Sequence, residues 1–515
     1  MAVKKHQIIP NNWEEREKLR DKGQFWTPNW VAEAMVSYLI NDRKIDVIYD
    51  PATGNGAFFE AIIKLNLSKI KFYGTDIDDE ILKSSIYKNN NCYVEIRDFI
   101  KNPPKRKFKG IIANPPYIRH HRLDRETKDF VKKLAISITG DKIDGRAGYH
   151  IYFLIQALNL LEKNGKLSFI LPADTFEGVF SEKLWKWIAN IFHIEAVVTF
   201  DEKATPFPGV DTNAIVVFIK NAPPKKNLFW VKVNKAYNDD LLKFVSSNFQ
   251  LLNFDNIEII EREIVEAIKL GLSRPPQKQN NYKYHLFDFA KVMRGIATGA
   301  NEFFFLTSEQ IDKFKIPKKF FKRAVGRTKD ITNSILSEDQ LELLDKNNRP
   351  TYLLSINKEK EIPKSLQNYI QKGVDLKLHE RSLIKQRTPW YKMEQRKIPP
   401  ILFTYLGRKN SRFILNRARV LPLTGFLCVY PIYSDEEYII NLWKALNEPE
   451  TIENLKIVGK SYGSGSIKVE PSNLNRLPIP EHIVLKYNLN RKYVSEHGQL
   501  EIFRESNNTY GIQRH

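Results

Sequence analysis

The chain has 515 residues, with 81 Lys plus Arg against 60 Asp plus Glu, for a formal net charge of +21. That length exceeds what one domain usually holds, and the basic surplus is what contact with phosphates requires, although ribosomal or anionic-membrane surfaces would also tolerate it. Its two cysteines, Cys92 and Cys428, exclude a disulfide framework, no paired Cys/His spacing offers a metal site, and no run of eighteen apolar residues offers a membrane span.

Met1 to His6 leads into polar sequence and not into the apolar core of a signal peptide, so the expected location is cytoplasmic. Strand candidates then alternate with helical stretches. The expected strands are Asp46–Tyr49, Ile70–Gly74, Tyr93–Ile96, Phe108–Ala113, Lys166–Leu171, Ile194–Phe200 and Ala214–Ile219. The expected helices are Gly56–Leu67, Asp79–Tyr87, Tyr149–Lys163 and Ser181–Asn190. This alternation predicts a doubly wound, mostly parallel sheet of seven strands with crossover helices. The short link through Pro206, Pro208 and Gly209 predicts that the last two strands pair antiparallel at one edge. Ligands of such a sheet sit outside the carboxyl ends of its strands, where Gly54, Asp76, Asp98 and Asn114 all fall.

The first strand runs into Asp50-Pro51-Ala52 and then Gly54-x-Gly56, two glycines that let the backbone approach a ligand closely. The second ends at Asp76, whose carboxylate can accept from two ribose hydroxyls, and Ile77 follows. Together these predict nucleoside binding. A hydride-transfer fingerprint would carry a third glycine where Phe59 stands. The fourth strand stops on Asn114-Pro115-Pro116-Tyr117. The Asn114 side-chain oxygen and a prolyl carbonyl are two acceptors for one amino group, the prolines offer no competing N–H, and Tyr117 supplies a ring on which a flat base can stack. An ordinary strand end followed by a proline turn is the plainer alternative.

With these motifs in this order, the chain resembles DNA adenine-N6 methyltransferases in which cofactor motifs precede NPPY and a target-recognition domain follows. The resemblance implies S-adenosyl-L-methionine as cofactor and a Rossmann-like methyltransferase fold. It implies that Thr27, in Gly23-Gln24-Phe25-Trp26-Thr27-Pro28, contacts the methionine end of the cofactor. It further implies that Asp98 accepts from the cofactor's adenine amine, that Phe99 and Phe153 wall that adenine, and that Phe207 joins Tyr117 in sandwiching a target base swung out of duplex DNA. Plain core packing is the commoner fate of a phenylalanine. Amino methylation of cytosine is the nearest chemical neighbour, and Asn114 ahead of the prolines favours adenine. Neither cysteine sits in a Pro-Cys setting like the nucleophile of cytosine-carbon methyltransferases, and both are expected to be inert.

Pro223-Pro224 and Pro275-Pro276 punctuate the exit from the sheet, which sets the expected domains at 1–275 for catalysis and 276–515 for recognition in a mixed α+β fold. The segment Met293–Phe304, the run Arg387-Thr388-Pro389-Trp390-Tyr391 and the late Gly463–Pro471 resemble a TaqI-type specificity domain. Between Arg381 and Arg419 eleven basic residues accompany one acid, Glu394, with aromatics interleaved. From this span Arg387, Trp390, Tyr391, Arg408, Lys409 and Arg412 are the expected contacts to double-stranded DNA; a solvated basic face is the bland alternative. The expected partners are DNA and a separately encoded restriction endonuclease, with no membrane and a monomeric enzyme. A modification subunit that borrows specificity from another protein, or an NPPY enzyme acting on RNA or protein, remain the alternatives.

Overall fold

The structure, a computed structural model, describes residues 25–490 except 42–43, 81–88, 142, 144–146, 178–180, 209–212, 277–281, 357–361, 405, 408–411 and 463–465. Most of the helix expected at Asp79–Tyr87 falls outside the described residues, as do Arg408, Lys409 and Gly463–Gly465. The described residues divide into two compact units. One takes in the described part of Met1–Asn280, Leu406–Asn410 and Gly459–Val469, and the other takes in that of Asn281–Tyr405, Ser411–Val458 and Glu470–His515.

The first unit is built on one large sheet. Its strands are β1 (Val47–Asp50), β2 (Lys71–Asp76), β3 (Cys92–Ile96), β4 (Phe108–Ala113), β5 (Leu161–Pro172), β6 (His193–Phe200), β7 (Ala214–Lys220), β8 (Asn227–Val233) and β9 (Ile257–Glu263). They lie in the order β3-β2-β1-β4-β5-β7-β6-β8-β9. Pairing is parallel from β3 through β5 and again between β6 and β8. Strand β7 runs antiparallel to both neighbours, and β9 runs antiparallel to β8. The doubly wound, mostly parallel sheet is thus as expected, but it has two more strands than the seven drawn from sequence. The antiparallel β6–β7 pair consequently lies inside the sheet, because β8 and β9 continue it beyond β6.

The central strands β1, β4, β5, β7 and β6 are largely buried on both faces, which explains why they read as near-continuous apolar runs. Tyr49, Ile111, Leu167 and Val217 point to one core, and their chain neighbours Ile48, Ile112 and Val216 point to the other. On the second face lies α1 (Asn29–Ile40), a helix absent from the sequence expectations, with every residue from Val31 to Leu39 except Glu33 buried. On the first face lies α2, here Tyr149–Asn159, buried from His150 to Leu158. Its helical pattern was expected to run to Lys163. Instead Leu161 opens β5 and pairs with Phe108, so tertiary pairing overrides the helix-forming Leu-Glu-Lys sequence.

The second unit contains a five-stranded sheet in the order Ala290–Arg294, Phe426–Pro431, Ile401–Thr404, Phe413–Asn416, Ile335–Leu336. A four-stranded sheet joins Phe305–Leu306, Tyr352–Leu354, Phe321–Val325 and Leu421–Pro422. With helices such as Lys364–Asp375 and Glu436–Leu446, this is the mixed α+β fold expected. Gly295 is needed where the chain turns from the first sheet, because a Cβ there would lie 2.1 Å from the Leu423 carbonyl oxygen. No helix among the described residues is long and apolar enough to cross a membrane, and no cluster of His, Cys, Asp and Glu among them could hold a metal ion.

Candidate active site

At the carboxyl ends of β1 to β4 a cavity of about 630 Å³ opens, and Ala52, Gly54, Asp76, Asp98, Asn114 and Phe153 all line it. The glycine loop owes its shape to three residues. Gly56 has φ of 80°, a left-handed conformation that glycine adopts without strain, and it leads directly into the helix Ala57–Lys64. Gly54, with φ of 49°, faces open space where a Cβ would meet nothing within 4 Å. Beneath the loop, a Cβ on Gly74 would come within 2.2 Å of the Thr53 methyl, so only glycine lets the loop settle on β2. Asp50 accepts from the Ala52 N–H at 3.0 Å, and its Oδ2 is buried without a hydrogen-bond partner. Burial raises its pKa well above the usual carboxylate value, and the Asp76 charge adds to this.

Asp76 ties the loop to its strand. One oxygen accepts from Gly54 N at 2.9 Å, and the other accepts from Ile77 N at 2.8 Å and Asp78 N at 3.1 Å. Burial raises its pKa while these three N–H donors hold it down. Ile77 is 72% exposed, a large apolar side chain at the rim of the cavity. Asp98 accepts from Ile100 N and Lys101 N through Oδ1. Phe99 packs on Phe153 with ring centroids 5.2 Å apart, and Tyr149, one helical turn before Phe153, meets it edge-on at 5.4 Å and also lines the cavity.

Asn114 ends β4. Its Nδ2 donates to the Phe25 carbonyl at 2.6 Å and to Thr27 Oγ1 at 3.1 Å, while its Oδ1 has no hydrogen-bond partner among the described residues. The Tyr117 hydroxyl donates to the Ile170 carbonyl at 3.1 Å. The rings of Tyr117 and Phe207 are 6.5 Å apart at 75°, and Phe25 packs against both, at 5.3 and 5.6 Å. Two stacking contacts on a flat base need parallel faces about 7 Å apart. Tyr117, Phe207 and Phe25 thus form a three-ring cluster, with Phe25 packed against both of the rings expected to sandwich the base. Behind Tyr117 sits His150, 5.8 Å away and edge-on, with both ring nitrogens buried and unpartnered and its pKa pushed down to about 3 by burial.

Residues 57–207 match the family described as "Eco57I restriction-modification methylase", and residues 276–507 match "Type II methyltransferase M.Eco57I, C-terminal domain". The chain belongs to the type II restriction-modification methyltransferases. It is 26% identical over 493 residues to type II methyltransferase M.AccI of Acinetobacter calcoaceticus, covering 92% of this chain and 89% of that one. It is 24% identical to M.XamI of Xanthomonas campestris pv. amaranthicola, covering 89% and 85%. In fold it is similar to the type IIL restriction-modification enzyme MmeI, solved in complex with DNA, with a TM-score of 0.51 and 12% identity. That likeness covers 90% of this chain, which spans 64% of the MmeI chain.

The cofactor of this methyltransferase is S-adenosyl-L-methionine. The cavity fits it: backbone opened by Gly54, carboxylate acceptors at Asp76 and Asp98, and aromatic walls at Phe99, Tyr149 and Phe153. Of the residues singled out from sequence, Thr27, Ala52, Gly54, Asp76, Ile77, Asp98, Phe99, Asn114, Pro116 and Phe153 line this one cavity; Asp50, Gly56, Pro115, Tyr117 and Phe207 do not. Phe25 and Tyr149 were missed. Each carried a signal: Phe25 lies two residues before Thr27 in the same motif, and Tyr149 lies at helical i, i+4 spacing from Phe153. Both cysteines are poor nucleophiles, burial pushing Cys92 up to about 12 and Cys428 to about 11.

In the second unit the described members of the expected DNA contacts turn partly inward. Arg387 donates to the Ala297 carbonyl at 2.7 Å and lies over the Phe304 ring. Arg412 donates to the Ile331 carbonyl at 2.5 Å. Trp390 packs between Phe303 and Tyr391, its indole against Gly373, where a Cβ would lie 2.3 Å away. These geometries give Arg387, Trp390 and Arg412 a packing role that a linear basic run does not reveal.

Proposed function

We propose that the protein transfers a methyl group from S-adenosyl-L-methionine to the N6 amine of an adenine swung out of double-stranded DNA, at one short sequence, and so protects host DNA in a restriction-modification system. The observation that carries this reading is the Asn114 amide: its nitrogen is held by Phe25 and Thr27, and its oxygen is left as an acceptor at the start of NPPY. The cofactor, when bound, supplies an electrophilic methyl on a sulfonium. The protein's share is positioning. An amine conjugated with a ring is a poor nucleophile, and Asn114 Oδ1 with the Pro115 carbonyl draws its hydrogens out of the ring plane as positive charge develops on the nitrogen. No general base is required before transfer, because that proton becomes acidic only afterwards. Asp76 holds the ribose, Asp98 the cofactor's adenine amine, and Phe99, Phe153 and Ile77 its ring.

In this reading residues 1–275 are catalytic and 276–515 select the DNA sequence. Arg408, Lys409 and Tyr391 contact the duplex, Tyr117 and Phe207 stack on the target base once Phe25 gives way, and the enzyme acts in the cytoplasm as a monomer beside a separately encoded endonuclease. The M.AccI and M.XamI relatives, which extend over nearly the whole chain, support a self-contained DNA methyltransferase. The test is methyl transfer from labelled S-adenosyl-L-methionine to unmodified genomic DNA by the purified chain, with Asn114→Ala as control and modification-sensitive sequencing of the product. Methyladenine at one recurring sequence is expected. Methylcytosine, or no incorporation with cofactor binding retained, would overturn the assignment.

A further inference from the structure

We infer that Thr27 is a positioning residue for the transfer step, acting through Asn114, and not only a wall of the cofactor cavity; this rests on the functional reading above. An asparagine amide is nearly symmetric in shape, yet its two ends have opposite chemistry, and only the oxygen can accept from an amine. Which end faces the substrate is decided by what holds the other end. Here the holder is the segment ahead of α1. The Phe25 carbonyl, 2.6 Å from Asn114 Nδ2, can only accept, and Thr27 Oγ1 takes the second contact at 3.1 Å. Turning the amide over would set oxygen against the Phe25 carbonyl oxygen, forfeiting that bond in a site where an unmade bond is costly.

The clamp is itself anchored. Thr27 is 6% exposed, and Pro28, which follows it, accepts from the N–H groups of Val31 and Ala32 at the start of the buried helix α1. The threonine is β-branched and therefore stiff about its first side-chain torsion, which fixes the hydroxyl in place. The amide of Asn114 is consequently set by a segment some ninety residues earlier in the chain.

The test uses the full chain and three proteins: wild type, Thr27→Val, which keeps the shape and removes the hydroxyl, and Thr27→Ser, which restores it. Single-turnover methyl transfer to unmodified DNA at saturating S-adenosyl-L-methionine is measured beside the cofactor Kd from equilibrium dialysis. Thr27→Val should lower the rate at saturating cofactor about 3- to 10-fold, the value of one hydrogen bond, whatever its effect on Kd. Thr27→Ser should recover most of the loss. An unchanged rate in Thr27→Val, or a weakened Kd with the saturating rate intact, would overturn the inference and leave Thr27 as a cavity wall. If Thr27→Val does not fold, Thr27→Ala against Thr27→Ser poses the same comparison. Wild-type protein that transfers no methyl to DNA would refute the functional reading itself, whereas a wild-type rate matched by Thr27→Val refutes only the clamp.

Discussion

Asp76→Asn removes one charge and exchanges one acceptor oxygen for an NH2 donor. The carboxylate accepts from three backbone N–H groups, Gly54 on one oxygen, Ile77 and Asp78 on the other. All three are donors, so an amide can satisfy only one side, and its nitrogen then faces an N–H in either orientation. If its oxygen stays with Ile77 and Asp78, the Gly54 tether is lost and the glycine loop loosens; if it turns to Gly54, the turn beyond β2 loses both bonds. At least one charge-assisted hydrogen bond is lost, about 1.5–3 kcal/mol for a partly buried group. At 1.4 kcal/mol per tenfold, cofactor affinity should fall roughly 10- to 150-fold. Calorimetric titration of S-adenosyl-L-methionine into the two proteins measures this directly. A Kd for Asp76→Asn within twofold of wild type would refute the tether argument, because no arrangement of the amide preserves all three contacts.

Asn114→Ala should abolish methyl transfer with the cofactor Kd held within about threefold; a lost Kd would show that the amide serves the cofactor instead of the target amine. The buried His150 makes acid stability testable. Its pKa is lowered from 6.5 to about 3, so its contribution is complete above pH 6.5 and is lost as pH falls toward 3. At pH 5 that loss approaches about 2 kcal/mol. His150→Phe should flatten the decline in urea midpoint between pH 7 and pH 4.5, and an equal decline in both proteins would contradict it. Neutralising Arg408 and Lys409 together should reduce the slope of log affinity for DNA against log salt by about 2, read from fluorescence anisotropy; an unaltered slope would take them out of the interface.

Much of the first unit was legible because its signals are local. Strand β4 and the NPPY turn could be read to the residue, since Gly110–Ala113 is buried without a break after the exposed Lys109, and proline marks where pairing must stop. Strand β9 escaped notice for the opposite reason: Glu258, Glu261 and Glu263 face solvent and break its apolar run. The site was legible as a set of strand ends but not as a set of contacts. That Asn114 is held by Phe25 depends on the docking of α1, which no spacing around Asn114 encodes. The basic stretch of the second unit shows the same limit. Whether a guanidinium faces solvent or caps a carbonyl depends on chain some eighty or ninety residues away, as Ile331 does for Arg412 and Ala297 for Arg387.

The lining of the cofactor cavity bears on turnover as well as on affinity. Among the described residues that line it, Asp76, Asp78, Asp79, Glu80 and Asp98 stand against one cation, Arg97. The ligand that enters carries a sulfonium, and the one that leaves is a neutral thioether. The same wall of carboxylates therefore attracts the fresh ligand and loses that Coulombic hold on the spent one, without any residue having to move. Added salt weakens the attraction where the rim is wet, so ionic strength should narrow the difference in affinity between the two. A reaction that discharges its own donor thus meets a pocket whose fixed charge favours exchange.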